Sequence, residues 1–138
     1  MKKIIIASAS LVLVLTLLLC LVSCGKEVSK EGLWENATYT EDVTLGKGEK
    51  TVTLLFEVQD KKITFTLKTD EENLGAALHE HSLLEGEDGL YTKINGITAD
   101  YNTDQSYWAF YVNGEYAMKG IDDTPIDESA TYSLVYTK

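Results

Sequence analysis

Tyr107, Trp108, Tyr111, Asn113 and Tyr116 stand shortly before a loop of small and acidic residues, Gly120-Ile121-Asp122-Asp123-Thr124. On a strand running from Tyr107 to Val112 the side chains alternate, so Trp108, Phe110 and Val112 share one face while Tyr107 and Tyr111 share the other. One set fills a core and the other is free to bind. Exposed tyrosines give flat, amphipathic contact area at small entropic cost. In the loop, glycine permits close backbone approach, and the aspartates accept hydrogen bonds from ligand hydroxyls or amides. These ten residues form a candidate surface for a small organic ligand. The competing reading is structural, since tyrosine is an ordinary strand former and the loop an ordinary solvated turn. Tyr132 and Tyr136 are assigned to the scaffold.

Other chemistries fare less well. His79-Glu80-His81 invites a metal, but alternate residues on a helix point about 200° apart, so the two imidazoles do not share an ion. Asp100, Asn102 and Asp104 copy the opening of a calcium loop, yet Gln105 stands at the glycine position and Tyr111 where the bidentate Glu belongs. That excludes an EF-hand and leaves at most a weak surface calcium site between Asp100 and Asp104. No metal ligand set and no bound cofactor is expected. The sequence has no nucleophile elbow and no phosphate loop, and its histidines lie together on one short helix. A binding protein is expected, not an enzyme.

Several elements must position the tyrosines and the loop. Val52, Leu54, Phe56 and Val58 alternate with polar residues, as do Ile63, Phe65 and Leu67 after Gln59-Asp60-Lys61-Lys62, which predicts a hairpin of half-buried strands. Thr69-Asp70-Glu71-Glu72 has the capping-box form and precedes Leu74, Ala77 and Leu78, predicting a helix of roughly three turns that ends before Gly86. Asn95-Gly96 and Asn113-Gly114 each sit between strand-like runs, Leu90 to Ile94 with Ile97 to Tyr101, and Tyr107 to Val112 with Glu115 to Met118. Asn-Gly is the preferred pair for a type I′ hairpin turn. A last strand runs from about Ala130 to Thr137. The order predicts one α+β domain with a mixed or antiparallel sheet around one helix. Its expected core includes Leu54, Phe56, Phe65, Leu74, Leu78, Trp108 and Phe110.

The beginning of the chain fixes its compartment. Lys2 and Lys3, an apolar run from Ile4 to Val22 and the sequence Leu21-Val22-Ser23-Cys24 describe a secretion signal ending in a lipobox, with Cys24 as the residue acylated. Residues 1–23 are read as signal peptide, 24–50 as lipid-attached tether and irregular lead-in, and 51–138 as the domain. The chain is thus expected on the extracytoplasmic side of a cell membrane. Twelve lysines, no arginine and 22 acidic residues make up its charged set; losing Lys2 and Lys3 leaves 10 against 22, a formal charge of −12. Such a surface repels phosphate backbones and lacks the side chain best shaped to grip them, which excludes nucleic acid as a partner. Both cysteines lie in the leader, so no disulfide is expected.

Asn95-Gly96-Ile97-Thr98-Ala99-Asp100-Tyr101, then Tyr107-Trp108-Ala109-Phe110-Tyr111-Val112-Asn113-Gly114-Glu115-Tyr116, Gly120-Ile121-Asp122-Asp123-Thr124 and the closing Tyr132-Ser133-Leu134-Val135-Tyr136 resemble the transcobalamin-like C-terminal domain. The resemblance covers 51–138, with the motifs in the family's order. It implies a β-grasp-like fold, a membrane-anchored lipoprotein, and a corrinoid related to cobalamin as candidate ligand. The eukaryotic carriers of this family clamp the corrin between such a domain and a large helical domain. No segment of this sequence corresponds to that second domain, and Asp127-Glu128-Ser129-Ala130 departs from the family's frequent Asp-Gly-Asp turn. An alternative role follows: an accessory module that meets another surface protein, such as a transporter subunit or adhesin partner, through an exposed sheet edge.

Overall fold

In a computed structural model the structure describes residues 28–87 and 90–138. The segment read as a signal peptide and the proposed acylation site Cys24 lie outside the described residues. Among the described residues no helix is long and apolar enough to cross a membrane.

The period-two pattern folds as its spacing requires. Strands β2 (Lys50–Val58) and β3 (Lys61–Thr69) form an antiparallel hairpin that buries Val52, Leu54, Phe56 and Val58 beside Ile63, Phe65 and Leu67. Strand β9 (Thr131–Thr137) lies parallel to β2, and β7 (Tyr107–Val112) pairs antiparallel with β9. With β1 (Val43–Gly46) parallel to β3 and β8 (Glu115–Tyr116) closing the far edge, the sheet runs β1-β3-β2-β9-β7-β8. A second, antiparallel sheet holds β4 (Leu84–Glu87), β5 (Leu90–Ile94) and β6 (Ile97–Thr98). Helix α1 (Leu74–Glu80) contributes Leu74 and Leu78 to the same core cluster as the strand residues. The architecture is α+β, with one mixed sheet and one antiparallel sheet.

Both Asn-Gly pairs turn as expected. Asn95 and Gly96 have φ of 52° and 82°, Asn113 and Gly114 of 53° and 81°, the double left-handed conformation of a type I′ turn.

Other expectations need correction. The folded unit begins well before Thr51, because the segment read as irregular lead-in supplies a 3-10 helix (Gly32–Asn36) and strand β1. Trp34 is buried, edge-on to Phe56 at 5.7 Å, and donates from Nε1 to the Val58 carbonyl at 3.2 Å. Buried Asn95 ties the same segment down, its side chain exchanging hydrogen bonds with the Tyr39 backbone at 2.9 and 3.0 Å. The capping box does not form. Thr69 stays in β3 and its hydroxyl donates to Glu80 Oε2, while Asn73 occupies the N-cap. The helix makes two turns instead of three. Ser82, at φ 56°, ends it, and the chain then enters β4, so that Leu83 and Leu84 reach the core. Strand β6 stops at Thr98; Tyr101–Asp104 is a helical turn, α2, capped by Asp100. Strand β8 stops at Tyr116, and Trp108 is only half-buried, packed against the core instead of inside it.

Candidate functional site

The strand β7 displays its two faces as the alternation requires. Phe110 stacks on Tyr132 with ring centroids 6.3 Å apart, and Trp108 leans on Phe56 at 5.1 Å and Tyr136 at 5.6 Å. On the other face Tyr111 meets Tyr116 of β8 edge-to-face at 5.5 Å. Ala109 is buried there as well, so that face is not open along its whole length.

Beyond β8 the chain leaves the sheet through Ala117-Met118-Lys119 before the 3-10 turn Ile121–Asp123. Two shallow grooves flank this stretch. One, of about 320 Å³, is lined by Trp108, Phe110, Gly120 and Ile121; the other, of about 390 Å³, by Val112, Asn113, Thr124 and Pro125. Tyr116, Ala117, Met118 and Lys119 line both. Tyr116 is 62% exposed and Met118 97%, an unusual cost for two large apolar side chains side by side. The backbone of Ala117 is held by its N–H donating to the Phe110 carbonyl at 2.9 Å, and Thr124 by a hydroxyl bond to the Gly120 carbonyl at 2.8 Å.

Six of the ten sequence candidates therefore converge on the grooves: Trp108, Asn113, Tyr116, Gly120, Ile121 and Thr124. Four do not line them. Tyr107 lies against a separate hollow of about 250 Å³ with Leu90, Tyr91, Thr92 and Tyr101. Tyr111 supports Tyr116 from behind, Asp123 is exposed, and Asp122 turns toward helix α1 and β5. Phe110, Val112, Glu115, Ala117, Met118, Lys119 and Pro125 also line the grooves and were not among the sequence candidates; Met118, a large apolar residue directly after the second hairpin, was the available signal. A larger hollow, about 510 Å³ near Asn36, Thr38 and Lys93, holds none of the candidates.

Asp122 belongs to a polar cluster. Its two carboxylate oxygens accept the Tyr91 hydroxyl at 2.6 and 2.7 Å, and His79 Nε2 lies 2.9 Å from the same hydroxyl oxygen. The phenol has one proton and gives it to Asp122, so His79 donates from Nε2. Burial, then the hydrogen bond to Asp122 and its negative charge, push the Tyr91 phenol up to about 12. At neutral pH it stays protonated. Gly75 makes room for this arrangement, since a methyl group there would collide with Asp122 Oδ1. His81 points elsewhere, its ring beneath Gly46, as the helical geometry requires. Asp100 and Asp104 spend their oxygens locally: Asp100 caps α2 through the Asn102 N–H and the Thr103 hydroxyl, and Ser106 bonds hold Asp104 below the usual carboxylate range.

The sheets and helices described above define an α+β domain. A family model described as Domain of unknown function (DUF4430) matches residues 71–131. A crystal structure of a protein from Ruminococcus gnavus ATCC 29149, provisionally described as metal-binding, is 27% identical with a TM-score of 0.60, over 65% of this chain and 98% of that one. Haptocorrin in complex with Cbi is 13% identical with a TM-score of 0.49, over 68% of this chain and 27% of haptocorrin, so the chain spans about a quarter of that protein's length. No curated protein sequence matches.

Proposed function

We propose that this domain binds a small organic ligand across the two grooves beside Met118, with a cobalamin-like corrinoid as the named candidate. The observation that carries the reading is the exposed pair Tyr116 and Met118 standing between grooves floored by Phe110, Ile121 and Val112. A flat, largely uncharged ligand would cover that pair and recover the apolar area now left in water. The description of the Ruminococcus protein supports small-ligand binding as a class. The sheet is β-grasp-like in our reading, because the first hairpin strand and the last strand lie parallel at its centre and the helix follows the hairpin.

One groove surface covers one side of a corrinoid, so affinity is expected near micromolar, about −8 kcal/mol. Calorimetric titration of the exported chain with cobalamin and cobinamide tests this. Tyr116→Ala combined with Met118→Asp, both exposed, should weaken binding at least about tenfold without altering the melting temperature. Absence of heat at millimolar corrinoid would remove the candidate.

The protein acts, in the same reading, as a non-enzymatic lipoprotein anchored through Cys24 on the extracytoplasmic side of the membrane. Labelling with a palmitate analogue should be lost on Cys24→Ala; equal labelling of both forms would overturn the anchor. A protein partner is the second reading, favoured by the open edges of β1 and β8, each the last strand on its side of the sheet. Recovery of a stoichiometric surface protein from solubilised membranes would support it.

A further inference from the structure

The cluster of His79, Tyr91 and Asp122 has a use that its hydrogen bonds alone do not require. Its three side chains come from helix α1, strand β5 and the turn after Gly120, and sequence separations of 12 and 31 residues mean that only the tertiary fold assembles them. The Tyr91 oxygen sits 2.9 Å from an imidazole nitrogen and 2.6 and 2.7 Å from two carboxylate oxygens. Adjacent donors around an octahedral ion with bonds of about 2.0–2.1 Å lie about 2.8–3.0 Å apart. The spacings of the imidazole and of the carboxylate from the Tyr91 oxygen are therefore each close to those of adjacent donors on one ion, with protons now holding the donors together. His79 and Asp122 are exposed, so water can complete the remaining positions.

We propose that His79 Nε2, the Tyr91 phenolate and the Asp122 carboxylate form a binding site for a hard trivalent cation of the ferric class. The donors select it. No sulfur is present for a soft ion, and an imidazole beside two oxygens is a poor match to calcium or magnesium. Phenolate and carboxylate form a pair of hard anionic oxygen donors, and only a strong Lewis acid displaces the phenol proton by its own charge. Binding releases that one proton to solvent; the His79 proton moves from Nε2 to Nδ1, freeing the lone pair that faces the ion. Phenolate and carboxylate together supply two negative charges, in a chain whose formal charge is −10. The site is separate from the grooves beside Met118, so it stands or falls independently of corrinoid binding.

Full-length chain in detergent, titrated with Fe(III) supplied as its nitrilotriacetate complex, should develop a visible tyrosinate-to-iron charge-transfer band that saturates at one ion per chain. Tyr91→Phe should abolish the band while retaining the melting temperature, because the hydroxyl lies on a half-exposed ring. His79→Gln and Asp122→Asn should each weaken binding by more than the ~10–100-fold that loss of an outer-shell partner costs. A band that survives Tyr91→Phe, or no band in the unaltered chain, overturns the proposal. Saturable Zn(II) binding that needs the same three residues, without any ferric band, would overturn the choice of ion.

Discussion

Replacing Trp34 by alanine is expected to destabilise the domain by about 3–5 kcal/mol, a large share of the roughly 5–15 kcal/mol that holds a domain of this size together. Trp34 is 1% exposed, contacts Phe56 edge-on, and satisfies the Val58 carbonyl at the end of β2. Its loss leaves a cavity beside the first hairpin and an acceptor without its donor. Chemical denaturation of the chain without residues 1–23 measures the effect directly. A change within about 0.5 kcal/mol, the size of an ordinary surface substitution, would mean that the segment around the 3-10 helix is not docked and that the folded unit starts near Thr51 after all.

Phe110→Ala should cost a similar amount, about 3–5 kcal/mol, for a different reason. Phe110 lies opposite Leu134 in the β7–β9 register and stacks on Tyr132, so its removal opens the core under the candidate grooves. Tyr111, one position along, faces the other way and is half-buried; Tyr111→Ala should cost distinctly less. A one-residue slip in register would exchange the two faces, and the two effects would then be reversed. Thermal melting of both variants distinguishes the registers.

These two residues also mark the limits of what was legible beforehand. Phe110 was readable because strict alternation from Tyr107 to Val112 reports the pleat of a strand, and β2 and β3 were readable in the same way. Asn95-Gly96 and Asn113-Gly114 encode their turns locally, through residues that tolerate positive φ. Trp34 carried no such signal. Its burial depends on Phe56, 22 positions away, and strand β1 is a four-residue edge whose partner β3 follows it across an intervening strand. Glu85-Gly86-Glu87 looks like a turn, yet it forms an edge strand with a bulge at Gly86, where charges and an irregular backbone are tolerated. Thr69 matched the capping box by type and spacing, but nine residues of ladder with β2 hold it in the strand, which outweighs a local cap.

The candidate site divides along the same line. The groove residues of the β7–β8 hairpin are close in sequence, but Trp108, Phe110 and Val112 belong to the face that alternation assigns to the core, whereas Tyr107 and Tyr111 on the other face do not line the grooves. Asp122 was read as a free acceptor for a ligand, whereas the fold delivers Tyr91 and His79 to it from two other elements. Tyr91 itself read only as a strand residue between Leu90 and Ile94. Nothing local distinguishes it from the other tyrosines.

Amide-resolved NMR of the chain without residues 1–23, titrated with cobinamide, addresses ligand binding at the grooves most directly. The expected result is a saturable set of shifts concentrated between residues 108 and 124, centred on Tyr116, Met118 and Ile121, with the resonances of Asn36, Thr38 and Lys93 unmoved. Shifts confined to the hollow near Asn36, or no saturable shifts at millimolar cobinamide, would contradict it.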